Sequence, residues 1–90
     1  MYSLEFTKQY LKDLKLLRKR KLDEGKLNQI IKILLSGDNL PAKFKDHVLM
    51  GNYVGLRECH ISPDWLLIYS KDKTVKLITL IRTGTQSDLF

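Results

Sequence analysis

Residues whose side chains can transfer protons stand in the second half of the sequence. His47 lies in DHVLMG, and His60 and Asp64 lie in ECHISPDW. His60 ends one predicted strand and Asp64 opens the next, so we expect the short turn between them to bring the two side chains close together. A histidine and a carboxylate within reach of each other can share general acid–base work, because both can be tuned to exchange a proton near neutral pH.

A second group of candidate residues stands in the last nine residues, RTGTQSDLF. Arg82 could bind a phosphate with its planar guanidinium group and stabilise the charge that develops in a transition state. Gln86 follows Arg82, and Phe90 ends the sequence. Glutamine can donate a hydrogen bond to a phosphate oxygen, but it cannot transfer a proton near neutral pH. The segment therefore predicts one edge of an anion-binding site.

Each candidate also has a structural interpretation. A histidine in a small domain is more often a hydrogen-bonded or surface residue than a catalytic one. Asp64 follows Pro63, which is typical of a turn. Arg82 could fix the turn at Gly84, and Trp65 at the start of an apolar run is typical of core or edge packing.

The single cysteine offers neither a disulfide nor a metal ligand. Cys59 has no second cysteine to pair with. It adjoins His60, and adjacent residues of a strand point to opposite faces. The sequence therefore predicts no metal site and no cofactor.

The apolar pattern predicts the elements that must position these groups. Residues 2–6 alternate with a period of two and predict a half-buried strand. Thr7 is a candidate cap for an amphipathic helix over 8–21, and a second helix begins at residue 26 and stops at Gly37. The following segment, SGDNLPAKFKDH, predicts a loop.

Three further strands are predicted at 53–61, 65–69 and 75–81, with SPD and SKDK as their connections. The expected fold class is α+β: an N-terminal strand, an antiparallel helix pair, then a three-stranded antiparallel run that completes a small sheet. Ninety residues suit one domain, which we place at 1–90.

Charge is concentrated in the first 37 residues, which hold nine of the 16 basic residues but only four of the 10 acidic ones. This excess favours a polyanionic partner, although a solvated helix face would look the same. No apolar run approaches the roughly 18–20 residues of a membrane span, so we expect no membrane partner and a cytoplasmic location. The basic side chains of the first helix are Lys12, Lys15, Arg18 and Lys19.

The motifs taken together resemble the YafQ group of the RelE/ParE toxin superfamily. DHVLMGNYVGLRECHISPDWLLIY and IRTGTQSDLF carry the resemblance, and KQYLKDLK and LPAKFKDH fit it as well. The matching positions are Asp46, His47, Leu49, Gly51, Arg57, His60, Pro63, Asp64, Leu67, Ile68, Tyr69, Arg82, Gly84, Leu89 and Phe90.

The resemblance implies a RelE-like fold and a bacterial toxin of a type II toxin–antitoxin pair. Such a toxin is a ribosome-dependent mRNA endoribonuclease, inhibited by a cognate antitoxin of the DinJ or RelB type. It would reach operator DNA only through that antitoxin.

The resemblance also implies roles for individual residues. His47, His60 and Asp64 would supply acid–base and orienting functions, without a choice of acid or base among them. Arg82 would clamp the phosphate. Trp65 and Phe90 would contact bases or order the site, and the basic first helix would lie against ribosomal RNA.

The sequence departs from the family pattern at Gln86, where the pattern has a histidine. If that histidine is the general acid, its loss costs about 10²- to 10⁴-fold in rate. Three interpretations stay open: a deliberately inactivated variant, a natural member in which another histidine works, or a degenerate toxin kept for binding. The alternative function is therefore a non-catalytic RelE/ParE-fold module that engages an antitoxin or another target such as gyrase.

Overall fold

A five-stranded sheet with helices on both faces organises the chain. The computed structural model describes all residues from Met1 to Phe90. The strands are β1 (Ser3–Phe6), β2 (His47–Val48), β3 (Arg57–Ser62), β4 (Trp65–Asp72) and β5 (Leu77–Gly84). The helices are α1 (Lys8–Lys19), α2 (Glu24–Ser36) and α3 (Gln86–Leu89), and 3₁₀ turns occupy Ala42–Phe44 and Gly51–Tyr53.

The sheet order is β1-β5-β4-β3-β2, with β1 parallel to β5 and every other pair antiparallel. The predicted α+β class is confirmed, and so is the order of the first strand, the helix pair and the last three strands. None of the helices combines the length and the apolar character that a membrane crossing requires.

The first helix begins where the sequence predicts. The Thr7 hydroxyl accepts a hydrogen bond from the Tyr10 N–H at 2.9 Å and caps α1. The helix ends at Lys19, earlier than predicted, because Lys21 adopts a left-handed backbone with φ 59°. α1 packs over β5.

The second helix starts two residues earlier than predicted. The Asp23 carboxylate accepts a hydrogen bond from the Gly25 N–H at 2.9 Å, so the helix begins at Glu24. Gly37 ends the helix with φ 87°, as predicted, since glycine adopts this left-handed conformation without strain. α2 packs over β3.

Two apolar clusters lie on opposite faces of the sheet. The larger one, the helix-side core, is covered by α1 and α2 and includes Leu67 and Tyr69 of β4. The smaller one, the outer-face cluster, is built on Leu66 and Ile68, with Leu89 of α3 packed against them. Side chains alternate between the two faces along β4, so this strand is buried on both sides.

The start of β3 differs from the prediction. The strand begins at Arg57 instead of residue 53. A 3₁₀ turn occupies Gly51–Tyr53, and Gly55 has a φ of 87°, which no extended strand accommodates.

The connection between β4 and β5 also lies further along the chain than predicted. β4 continues to Asp72, so residues 70–73 are not the turn. The turn occupies 73–76, because Asp72 Oδ1 accepts hydrogen bonds from the N–H groups of Thr74 at 2.9 Å and Val75 at 3.2 Å. β5 consequently begins at Leu77 and extends to Gly84.

Two short elements were not predicted. β2 consists of two residues at the end of the segment predicted as a loop, and it pairs His47 with Glu58 and Val48 with Arg57. α3 forms in the C-terminal segment through a capping box between Thr85 and Asp88, whose side chains each bond the backbone N–H of the other residue.

Candidate active site

Two histidines converge on one buried carboxylate. The Nε2 atom of His47 lies 3.5 Å from Glu58 Oε1, and the Nε2 atom of His60 lies 3.7 Å from the same oxygen. The two imidazole rings are 6.3 Å apart between centroids. Pairing of β2 with β3 places His47 opposite Glu58, and His60 stands two residues further along the same face of β3.

The environment of Glu58 is unusual for a carboxylate. Its side chain is only 7% exposed, and its Oε2 atom has no hydrogen-bond partner. An unpartnered buried polar atom costs about 1–3 kcal/mol, more for a charged group, so such atoms in native proteins call for a functional explanation. The half-exposed ring of His47 opens this cluster to solvent.

The proton on His47 can be assigned from its other nitrogen. Nδ1 lies 2.7 Å from the carbonyl oxygen of Lys45, which can only accept a hydrogen bond. Nδ1 therefore carries a proton, and Nε2 is the atom that gains or loses one toward Glu58. Lys45 holds its carbonyl in place with a left-handed backbone, φ 50°, at the end of a 3₁₀ turn.

Asp64 is not part of this cluster. It lies exposed in the turn between β3 and β4, and no hydrogen bond or ion pair joins it to His60. His60 pairs with Leu66 across the two strands, so the chain reverses beyond the histidine. The expected proximity of His60 and Asp64 and the acid–base role of Asp64 therefore stay predictions, whereas Glu58 is the carboxylate that the structure pairs with His60, at 3.7 Å.

Arg82 is held by a carboxylate of α1. Its Nε and Nη2 atoms donate to the two oxygens of Asp13, each at 2.9 Å. Asp13 also accepts from the Thr83 N–H at 3.2 Å and from Gln9 at 3.0 Å. Burial alone would raise the pKa of Asp13, but these hydrogen bonds outweigh it and hold that pKa below its usual value. Clamping of a phosphate by Arg82 stays a prediction, and any such phosphate must share the guanidinium with Asp13.

We expect Asp13→Asn to destabilise the protein by about 2–3 kcal/mol, because it leaves the Arg82 charge without its partner in a half-buried position. Urea unfolding of the antitoxin-free protein measures this change. Asp64→Asn, at an exposed turn position, is the matched control and should stay within about 0.5 kcal/mol of the parent. Equal stability of both variants would contradict a structural role for the Asp13–Arg82 pair.

Trp65 lies in the helix-side core and not at the surface. It is 3% exposed, and its indole N–H donates to the Thr83 hydroxyl at 2.9 Å. That hydroxyl in turn donates to the Leu66 carbonyl at 2.8 Å. Direct stacking of Trp65 on a base is therefore wrong, because the ring is enclosed by packed side chains. Through its hydrogen bond to Thr83, Trp65 can instead order β5, the strand that carries Arg82.

The C-terminal segment reaches the same face of the sheet as His60. Leu89 of α3 packs on Leu66, and Leu66 is the cross-strand partner of His60. Gln86 is exposed at the start of α3 and makes no side-chain hydrogen bond. Phe90 is 55% exposed and stands edge-on to Tyr53 at 5.5 Å, so contact of its ring with a base stays a prediction.

An ion pair fixes α3 against the end of α1. Arg20 Nη1 lies 2.9 Å from Asp88 Oδ2, and the Arg20 guanidinium lowers the pKa of Asp88 to about 2. Asp88 thus serves both this pair and the capping box with Thr85. The position of Gln86 depends on these two contacts.

The family of the protein follows from comparison with known proteins. Residues 2–90 match a family model that is described as "bacterial toxin of type II toxin–antitoxin system, YafQ". The chain belongs to this family. The "mRNA interferase toxin YafQ" of Escherichia coli K12 is 44% identical over 88 residues, which cover 97% of this chain and 94% of that protein.

Two solved E. coli structures share the fold. One is a crystal structure of a YafQ mutant in which glutamine replaces a histidine, with 43% identity and a TM-score of 0.92 over 100% of this chain and 99% of the other. The other is the DinJ–YafQ complex, with 40% identity and a TM-score of 0.91 over the same shares. The predicted resemblance and the RelE-like architecture are confirmed.

Several residues of the YafQ-type motif act in the scaffold. Asp46 accepts hydrogen bonds from the Arg57 guanidinium, at 2.7 Å from Nη2, and from the Tyr69 hydroxyl. Burial, reinforced by the bond to Asp46, raises the pKa of Tyr69, so its hydroxyl stays protonated. This triad links the loop before β2 to β3 and β4, and it thereby positions His47.

Cys59 belongs to the helix-side core. It is fully buried, and burial raises the pKa of its thiol to about 12. A thiol in this state packs as a small apolar group and is a poor nucleophile. The structure contains no group of three or more His, Cys, Asp or Glu side chains arranged to hold a metal ion.

The basic face predicted on the first helix lies at the surface. Lys12, Lys15 and Lys19 are exposed and make no ion pair, whereas Arg18 pairs with Glu24 at the start of α2. Contact of this face with RNA stays a prediction.

Proposed function

We propose that this protein is an mRNA endoribonuclease whose proton-transfer site is the cluster of His47, Glu58 and His60. The observation that carries the proposal is the convergence of both histidine Nε2 atoms on one oxygen of a buried carboxylate. A histidine pair of this kind can hold one ring as a base and the other as an acid. The name of the E. coli relative, an mRNA interferase, supports the same activity.

The reaction needs a base, an acid and positive charge. The ribose 2′-oxygen attacks the adjacent phosphorus, a new O–P bond forms, and the bond to the leaving 5′-oxygen breaks. One imidazole takes the 2′-hydroxyl proton. The other gives a proton to the 5′-oxygen, less effectively than a histidine at position 86 would, because Gln86 leaves this chain without the acid of the family pattern. Glu58 stabilises the imidazolium that forms, while Arg82 and the amide of Gln86 supply hydrogen bonds to the phosphate oxygens.

Cleavage of translated mRNA tests the proposal. The protein is released from its antitoxin, added to ribosomes that translate a defined mRNA, and the cuts are mapped by primer extension. We expect cleavage by the parent chain and by Glu5→Ala, which changes an exposed residue of β1, and none by His60→Ala or Asp64→Ala. Cleavage by His60→Ala at the parental rate would place the chemistry elsewhere, and full cleavage by Asp64→Ala would remove Asp64 from the site.

We propose that residues 1–90 act as one toxin domain in the bacterial cytoplasm, with ribosomes and mRNA as targets and a DinJ-like antitoxin as partner. The E. coli DinJ–YafQ complex supports such a partner. An antitoxin segment with acidic and apolar residues would suit the basic face of α1. Operator DNA would be reached only through the antitoxin.

We expect association with the antitoxin to be sensitive to salt. Rate constants measured by stopped flow should fall about tenfold or more between low and high ionic strength, because opposite charges steer the encounter. Lys15→Gln with Lys19→Gln should reduce this dependence. An association rate constant that is independent of ionic strength would contradict docking on the basic face.

A second candidate is a binding module that does not cut RNA. The observation that favours it is Gln86, whose side chain cannot transfer a proton. A module of this kind would inhibit a target such as gyrase, and its activity would be unaffected by changes at His47 and His60. The cleavage assay distinguishes the two functions.

A further inference from the structure

A basic cavity of about 420 Å³ opens beside His60. Its exposed rim includes residues of α2 and of the 3₁₀ turn before β2, and its apolar floor consists of the buried side chains of Phe44 and Ile61. Three lysines stand on the rim: Lys26, Lys43 and Lys45. We call this cavity the lysine groove.

The lysines of the groove are not neutralised by the protein. None of Lys26, Lys43 and Lys45 makes an ion pair or a side-chain hydrogen bond, and all three are exposed. Only Lys43 has a contact of its own, with its ammonium 5.1 Å from the centre of the Phe44 ring. No carboxylate lines the groove.

The other two cavities of the protein differ in this respect. One contains Asp38 and Asp46 beside its basic residues, and the other contains Asp13 and Asp88. In both, carboxylates already pair with arginines. The lysine groove is therefore the cavity with the largest excess of positive charge, because its three lysines face no lining carboxylate.

The groove is continuous with the candidate active site. His60 lines one end of it, and Lys45, on its rim, fixes His47 through its carbonyl oxygen. β2 pairs only with Arg57 and Glu58, so the outer edge of β3 from His60 onward has no strand partner where the groove runs along it. A chain that enters the groove consequently leads to the two histidines.

We propose that the lysine groove binds the single-stranded RNA next to the bond that is cut, with backbone phosphates on the lysines and a base against the apolar floor. The volume lies in the range of about 300–1,000 Å³ that is typical of small-ligand sites and accommodates one nucleotide. The inference rests on the proposed nuclease function and adds the place where the substrate is held. It assigns to these lysines a role separate from that of the basic face of α1.

Binding of an uncleavable RNA tests the groove without any catalysis. The probe is a short fluorescent 2′-O-methyl RNA, whose blocked 2′-oxygen cannot attack, and the readout is anisotropy of the antitoxin-free protein. The test variant is Lys26→Gln with Lys43→Gln. The control is Lys8→Gln with Lys32→Gln, which removes the same charge from exposed helix positions that line no cavity.

We expect the groove variant to bind about 10- to 30-fold more weakly at 0.1 M salt and to lower the slope of log K against log salt by about 1.4, since each phosphate contact on a single strand contributes about 0.7. The control should change affinity by less than about twofold, and both variants should keep the parental midpoint of thermal unfolding.

Three results would overturn the inference: no RNA binding by the parent, equal losses in both variants, or unchanged RNA affinity in the groove variant. If the last is accompanied by weaker antitoxin binding, the groove is a protein-docking site. A failure of the proposed nuclease function can be distinguished from a failure of the groove. If only the nuclease function is wrong, primer extension shows no cuts, but binding of the uncleavable RNA still depends on the groove lysines.

Discussion

Gln86→His is expected to raise the rate of mRNA cleavage about 10²- to 10⁴-fold, the usual contribution of a positioned acid or base. Position 86 lies at the exposed start of α3, on the face of the sheet that carries His60. A glutamine there can hydrogen-bond a phosphate oxygen, whereas a histidine can also donate a proton to the leaving oxygen. Single-turnover cleavage on programmed ribosomes measures the change.

The matched control is Ser87→His, which places an imidazole on the neighbouring exposed residue of the same short helix. We expect no gain from it, because proton transfer requires hydrogen-bonding distance to the reacting oxygen. A parental rate in Gln86→His would show that His47, Glu58 and His60 already perform every proton transfer. An equal gain from Ser87→His would indicate a general effect of charge instead of a positioned acid.

The order of the main elements could be predicted because their apolar periods are long. β4 is a nearly continuous apolar run. The apolar stripe of α1 begins after Thr7, whose side chain caps the helix, and the stripe of α2 ends at Gly37, whose left-handed backbone stops the helix. β2 and α3 have two and four residues, too few to show a period. They form because tertiary contacts hold them: pairing with β3 for β2, and the ion pair of Arg20 with Asp88 for α3.

The candidate site was predicted in part. His47 and His60 were identified as proton-transfer residues, and the structure brings their rings to 6.3 Å. Glu58 is not among the predicted site residues, because the sequence offers Asp64 in the adjacent turn as a carboxylate for His60. The signal that would have found Glu58 is its spacing of two from His60, which puts both side chains on one face of a strand.

Trp65 illustrates why exposure is hard to predict for a strand that is buried on both faces. Such a strand has no polar alternation, so the sequence does not show which residue meets solvent. The hydrogen bond from Trp65 to Thr83 depends on the pairing of β4 with β5, including an irregularity in register between Ile68 and Tyr69. That register is a property of two distant segments and is not encoded locally.

Glu58→Gln is expected to lower cleavage by about 10²-fold or more without loss of stability. The exchange keeps the size of the side chain and removes the charge that stabilises a protonated histidine in the cluster. Glu58 is also a buried carboxylate with an unpartnered oxygen, which is unfavourable for the folded state. The free energy of unfolding should therefore stay within about 1 kcal/mol of the parent or increase. Stability commonly rises when a residue that is kept for function, at a cost to stability, is replaced.

Glu5→Gln is the matched control, because it makes the same chemical change on an exposed residue of β1. Cleavage, urea unfolding and antitoxin affinity should be measured on all three proteins. A loss of cleavage in Glu58→Gln alone, with unfolding and antitoxin binding unchanged, is the signature of a group that acts in the chemistry. A parallel loss of stability would make Glu58 a structural residue. Full activity in Glu58→Gln would remove the carboxylate from the mechanism and leave the two histidines to exchange protons directly with the RNA.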